Sequence, residues 1–209
     1  MCATVAKPRL TADELEAGCR LARLYDVASV CILPYALNRG AEILKGSTVK
    51  ASTTVGFPHG GHTTAIKLAE AERALADGGE ELDMVVNISQ VLSGNWHYVH
   101  RDIASVIDVT HARGAKVKVI FENCYLRDEH KVRLCAICGE LGADWVKTST
   151  GYGSGGATND DLKLMRLHSP ARVQVKAAGG VRDRRAAGLV RRTGSDGGAT
   201  VCEQNPTLH

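Results

Sequence analysis

An α/β fold of the eight-stranded parallel barrel type is what this sequence predicts, and three observations carry the expectation. Strand-like and helix-like stretches alternate along the chain at intervals of roughly 20–30 residues, the rhythm of repeated βα units. With 209 residues, 44% of them hydrophobic, the chain can bury a substantial core as a single domain spanning residues 1–209. Lys147 and Lys176 each end an apolar strand-like run and open a small glycine-rich loop, in Asp144-Trp-Val-Lys-Thr-Ser-Thr-Gly151 and Val173-Gln-Val-Lys-Ala-Ala-Gly-Gly-Val-Arg182. Doubly wound sheets share the alternation. Functional side chains at the C-terminal ends of several strands favour the closed (β/α)8, or TIM, barrel, whose site occupies that face.

The elements follow in order. Ala3–Ala6 supplies a first strand. Thr11-Ala-Asp-Glu14 has capping-box spacing and opens a helix whose Leu15, Cys19, Ala22 and Tyr25 share a face. Ala28–Leu33 reads as a buried strand, followed by a short helix over Asn38–Leu44 and a strand at Lys50–Val55. A helix across Thr63–Asp77 ends at Gly78-Gly79, and Glu81–Val86 is the next strand. A helix at Trp96–Arg113, a strand at Lys116–Ile120, a helix at Asp128–Leu141 and a strand at Asp144–Lys147 continue the pattern. A helix at Asn159–His168 and the strand Arg172–Lys176 bring the strand count to seven, and Gly198-Ala-Thr200 starts an eighth.

Composition excludes several classes. A net charge of +3 with 23% charged residues is too mild for a nucleic-acid-binding face. The basic run Arg182–Arg192 lacks interleaved aromatics and reads as solvated. No opening stretch has the layout of a secretory leader, and no apolar run approaches the roughly 18 residues that span a bilayer, so the expected location is the cytoplasm, with no membrane partner. Seven cysteines, an odd number scattered through helix- and strand-like segments, read as reduced thiols. Cys135-Ala-Ile-Cys138 lies on a helical face with Val132, Leu134 and Leu141 and has no second pair to complete a metal site. His59/His62 and His97/His100 have ligand-like spacing without a carboxylate set. No metal site is expected.

Amine chemistry is. A lysine at a strand end can be partly desolvated, and a second cation beside it disfavours the ammonium form, so a neutral nucleophilic amine becomes available for Schiff-base formation. In Glu81-Leu-Asp-Met-Val-Val86, alternation sends Leu82, Met84 and Val86 to one side and Glu81, Asp83 and Val85 to the other. With the second set facing inward, Asp83 is a carboxylate able to relay protons near two lysines; a structural ion pair is the bland alternative. Gly151, Gly179 and Gly180 offer close backbone approach and N–H groups, and Arg182 adds charge at a helix start, which suits a phosphate.

Six ordered blocks carry a resemblance: Ser29-Val-Cys-Ile-Leu-Pro34, Thr54-Val-Gly-Phe-Pro-His-Gly60, Glu81–Val86, Lys118-Val-Ile-Phe-Glu122, Asp144–Gly151 and Val175–Arg182. From Val5 to Asp183 the chain resembles the deoxyribose-phosphate aldolases, class I aldolases with a (β/α)8 barrel. The resemblance implies reversible cleavage of 2-deoxy-D-ribose 5-phosphate to D-glyceraldehyde 3-phosphate and acetaldehyde without metal or cofactor. It implies Lys147 as the Schiff-base lysine, Lys176 as the second active-site lysine, Asp83 as the aspartate of proton transfer, and Gly151, Gly179, Gly180 and Arg182 in the phosphate site. Partners are then a sugar phosphate and an aldehyde, with the family's dimers or monomers leaving a homodimer and a monomer both open.

The ends depart from the family pattern. Aligning Lys7-Pro8 puts Cys2 where the family carries an aspartate, and the family's Gly-Ser phosphate loop has no counterpart in Gly197–His209, so a shortened or altered C-terminal end is expected. These departures support a second reading, an inactive relative that binds sugar phosphate or a partner subunit.

Overall fold

Alternation in the strands sorts side chains to two environments, and both are buried. Leu82, Met84 and Val86, with Val30, Ile32, Val117, Val119, Val146 and Val175, point outward into one continuous apolar core. Their sequence neighbours Ser52, Glu81, Asp83, Lys118, Trp145, Lys147 and Lys176 are also buried, but they point into the barrel, where polar groups satisfy one another. A sheet wrapped by helices needs the apolar face outside, and the interior is then free for chemistry.

The computed structural model describes residues 2–180 and, by backbone, 200–201. Eight strands run parallel in strict chain order: β1 (Cys2–Val5), β2 (Ser29–Ile32), β3 (Lys50–Val55), β4 (Glu81–Val85), β5 (Lys116–Ile120), β6 (Trp145–Lys147), β7 (Gln174–Ala177) and β8 (Thr200–Val201). Between them lie α1 (Ala12–Leu24), α2 (Leu37–Leu44), α3 (Thr64–Ala76), α4 (Ile88–Leu92), α5 (Trp96–Ala112), α6 (Asp128–Leu141) and α7 (Asn159–His168). This is the (β/α)8 order, and Thr200 falls opposite Lys176 in the eighth strand. The altered C-terminal end, the run Arg182–Arg192 and Arg182 itself lie outside the described residues.

The local expectations hold with few exceptions. Thr11 and Glu14 form the capping box of α1, the Thr11 side chain accepting from the Glu14 N–H and Glu14 accepting from Thr11. Leu15, Cys19 and Ala22 are buried, but Tyr25 is 68% exposed, because α1 ends at Leu24 and the chain turns away from the helical face. Strand β6 starts at Trp145, one residue later than expected, and β7 at Gln174, two later; the Asp144 carboxylate just before β6 is engaged by His111 and by the Val117 N–H at 3.0 Å each. The short helix α4 lacks the length to show a period. An ion pair that the sequence does not advertise joins α3 to α5. Lys67 and Asp102, both fully buried, meet at 2.5 Å, and Lys67 also donates to the Val85 carbonyl at 2.9 Å, tying the end of β4 to the helices. Among the described residues no helix is long and apolar enough to cross a membrane.

Candidate active site

Asp83 is the hub of the barrel interior. Register pairs it with Lys118 across β4 and β5, while Lys147 and Lys176 face each other across β6 and β7. The stagger between tilted strands brings these positions together near the axis. One Asp83 oxygen, Oδ1, accepts from Lys118 Nζ at 2.8 Å and from Ser52 Oγ at 3.2 Å. The other, Oδ2, accepts from Lys147 Nζ at 2.6 Å, and Lys176 Nζ lies 3.9 Å from it. Lys118 donates a second, short bond to Glu81 and lies 5.3 Å from the centre of the Trp145 ring. Three lysine side chains thus gather on two carboxylates.

The electrostatics follow from that crowding. Burial alone would raise the Asp83 carboxyl, but the charges of Lys118, Lys147 and Lys176 overcome it and hold the group well below the usual carboxylate range. Burial works against the Lys118 ammonium, and Lys176 adds repulsion. Asp83 and Glu81 outweigh both, so Lys118 is raised and stays protonated. Lys118 is thus fixed as a cation between two carboxylates.

Only Lys147 of the three lysines opens on the pocket. A cavity of about 100 Å³ lies above it, walled by Thr54, Phe57, Thr150, Gly151, Tyr152 and Ala178. The loop glycines have a steric reason. Gly151, Gly179 and Gly180 have φ of +88°, +77° and +79°, where a side chain is strained. A Cβ on Gly156 would stand 2.4 Å from the Gly179 carbonyl oxygen, so the loops after β6 and β7 pack backbone on backbone, and the Ala157 N–H donates to both the Ala178 and Gly179 carbonyls at 3.1 Å. Gly151 lines the pocket.

The structure therefore brings Lys147, Lys176 and Asp83 together, with Gly151, Gly179 and Gly180 in the loops that follow Lys147 and Lys176. Lys118 and Glu81 are the members that sequence reasoning missed as site residues. The signal was present in Lys116-Val-Lys-Val-Ile120, where period two puts Lys118 on the face opposite Val117 and Val119. Cys31 lines the same pocket, and Cys2 is buried with Ala178 beside it. The described cysteines are free thiols. Burial pushes Cys135 up to about 11 and Cys138 well above the ordinary thiol range, as packing residues require. His62 faces Glu70 at 3.6 Å and His100 faces Glu140 at 3.3 Å, two separate surface contacts.

A barrel with buried lysines gathered on one carboxylate at the pocket end of its strands has the arrangement that amine chemistry on a carbonyl requires, as in the aldolase class. The chain belongs to the DeoC/LacD family of aldolases, whose family model matches residues 3–199. It is 70% identical over 176 residues to a deoxyribose-phosphate aldolase of Rhodopirellula baltica, covering 84% of this chain and 73% of that one. It is 46% identical over 181 residues to the deoxyribose-phosphate aldolase of Thermococcus gammatolerans, covering 86% and 80%. Among solved structures, the tetrameric deoxyribose phosphate aldolase of Aeropyrum pernix superposes with a TM-score of 0.86 at 29% identity, over 96% of this chain and 83% of that one. The aldolase QR15 superposes with a TM-score of 0.88 at 31% identity, over 97% and 89%.

Proposed function

We propose that this chain is a class I aldolase, a lyase that reversibly cleaves 2-deoxy-D-ribose 5-phosphate to D-glyceraldehyde 3-phosphate and acetaldehyde. The observation that carries the reading is the Lys147 amine, at the pocket floor and 2.6 Å from the buried Asp83 carboxylate. The neutral amine adds to the C1 aldehyde of the open-chain sugar, and loss of water leaves an iminium. The C3 hydroxyl gives up its proton, the C2–C3 bond breaks, and its electron pair moves into the iminium to form an enamine, releasing glyceraldehyde 3-phosphate. Protonation at C2 and hydrolysis return acetaldehyde and the free amine.

In this scheme Asp83 stays ionised, balances the iminium and accepts the hydrogen bonds through which protons pass between the C3 hydroxyl and C2. Lys176 supplies the nearby positive charge that favours neutral Lys147. Lys118, held by Glu81, fixes Asp83. Gly151, Gly179, Gly180 and Arg182 receive the phosphate. The inactive reading finds no support in the relatives, which are named as aldolases. Residues 1–209 acting as one domain, a cytoplasmic location and self-association as a homodimer belong to the same proposal.

Two tests apply here. Lys176→Leu removes a side chain whose amine faces the same carboxylate oxygen as Lys147, so the midpoint pH of borohydride trapping with acetaldehyde should rise. An unchanged profile removes the electrostatic role of Lys176. Treatment with EDTA should leave the rate of acetaldehyde release from 2-deoxyribose 5-phosphate unchanged, because the iminium is the electron sink. Loss of activity restored by added metal would refute the amine mechanism.

A further inference from the structure

Glu122 is a buried carboxylate with no part in the scheme above. It is 2% exposed and stands at the end of β5 with φ +57°, a left-handed backbone that a residue other than glycine keeps only when its surroundings impose it. The surroundings do so from both sides. The Phe121 N–H donates to the Lys147 carbonyl at 3.0 Å, and the Asn123 N–H donates to the Thr148 carbonyl at 2.9 Å. The turn at Glu122 is thus stitched to the backbone of the reactive lysine.

Its carboxylate begins a chain of contacts across the pocket. Oε2 accepts from the Thr150 N–H at 3.2 Å and, in a short bond, from the Thr150 hydroxyl. The Thr150 oxygen, oriented by that bond, accepts from the Tyr152 N–H at 3.0 Å. Tyr152 then reaches the Ala6 carbonyl through its hydroxyl at 3.4 Å and sets its ring edge-on to Phe57, 5.4 Å between centroids at 89°. Thr150, Tyr152, Phe57 and Ala6 all line the pocket. A Cβ on Gly153 would stand 2.7 Å from Cys124 Sγ and 3.0 Å from Glu122 Cδ, so the loop lies directly over the carboxylate. One buried anion thereby links the end of β5, the loop after β6, the end of β1 and the loop after β3.

We infer that Glu122 is a positioning residue, which through Thr150 and Tyr152 holds the pocket wall in its substrate-binding form and takes no part in the amine chemistry of Lys147. The substrate side of this inference rests on the aldolase reading; the strut does not. Glu122→Gln keeps the shape and replaces the anion by a weaker acceptor. KM for 2-deoxyribose 5-phosphate should rise about tenfold, while kcat and the rate of acetaldehyde trapping at Lys147 stay within about twofold. Hydrogen exchange at the Thr150 and Tyr152 amides, measured without substrate, should quicken about tenfold. Thr150→Val, which leaves the Glu122 backbone alone, should reproduce the KM rise, and Thr150→Ser should restore binding.

Unchanged exchange in Glu122→Gln overturns the strut. Faster exchange with trapping and kcat falling alongside binding also overturns it, because Glu122 would then act on the chemistry. A wild-type protein that neither traps acetaldehyde nor cleaves the sugar phosphate refutes the aldolase reading alone, and the exchange comparison still decides the strut.

Discussion

Lys147→Ala is expected to abolish covalent capture of acetaldehyde by borohydride and to lower kcat/KM for 2-deoxyribose 5-phosphate by at least about 10³-fold. The size follows from what is lost. Without the amine there is no iminium, and cleavage of the C2–C3 bond would leave an unstabilised carbanion. Lys118 and Lys176 do not substitute. Lys118 is 1% exposed and held between Glu81 and Asp83, and Lys176, 2% exposed, is not among the residues that line the cavity. Peptide mapping of the reduced wild-type adduct should locate it on Lys147. An adduct retained by the Lys147→Ala protein would move the nucleophile to another residue.

Asp83→Asn has the second largest effect, on stability as well as on rate. The carboxylate is fully buried and is the shared counter-charge of Lys118, Lys147 and Lys176. Removing one partner of a buried ion pair costs about 3 kcal/mol or more, reduced to the extent that one lysine sheds its proton. Because the folded-state pKa of Asp83 lies below its ordinary value, its contribution is complete above the unfolded value near 3.9 and is lost as pH falls through the folded pKa. The gap between wild type and variant in urea unfolding should therefore be constant above about pH 5 and shrink in stronger acid. At the alkaline end, raised Lys118 contributes below its unfolded value and loses that contribution as pH climbs through the folded pKa. Activity should fall about 10²–10⁴-fold, the usual loss when the path of proton transfer is broken. A variant whose stability gap widened in acid would refute the assignment of Asp83 as the depressed carboxylate.

Much of this architecture is legible in local pattern. Thr11 to Glu14 writes the start of α1 in four residues, and the apolar-polar alternation of Glu81–Val86 places Asp83 on the inner face without coordinates. The same alternation in Lys116–Ile120 marks Lys118 as inward. The long stem of a lysine lets its ammonium reach water from most strand positions, so the alternation alone does not assign Lys118 to the site. Tyr25 fails for a different reason. Its spacing continues the buried face of α1, but burial depends on the helix still running at that residue, and the chain has already turned toward β2.

By itself, the order of residues determined the alternation of strands and helices, the two lysine loops, the carboxylate opposite them and the aldolase resemblance, because each is written in neighbours a few positions apart. Tertiary structure decided who meets whom. Asp83 and Lys147 are 64 positions apart, Lys118 and Asp83 are 35, and Lys67 and Asp102 are 35. No period in the chain records that three lysines converge on one carboxylate, or that Glu122 bends back to hold Thr150. Strand tilt and register bring these groups within hydrogen-bonding distance, and burial then makes their charges act strongly on one another.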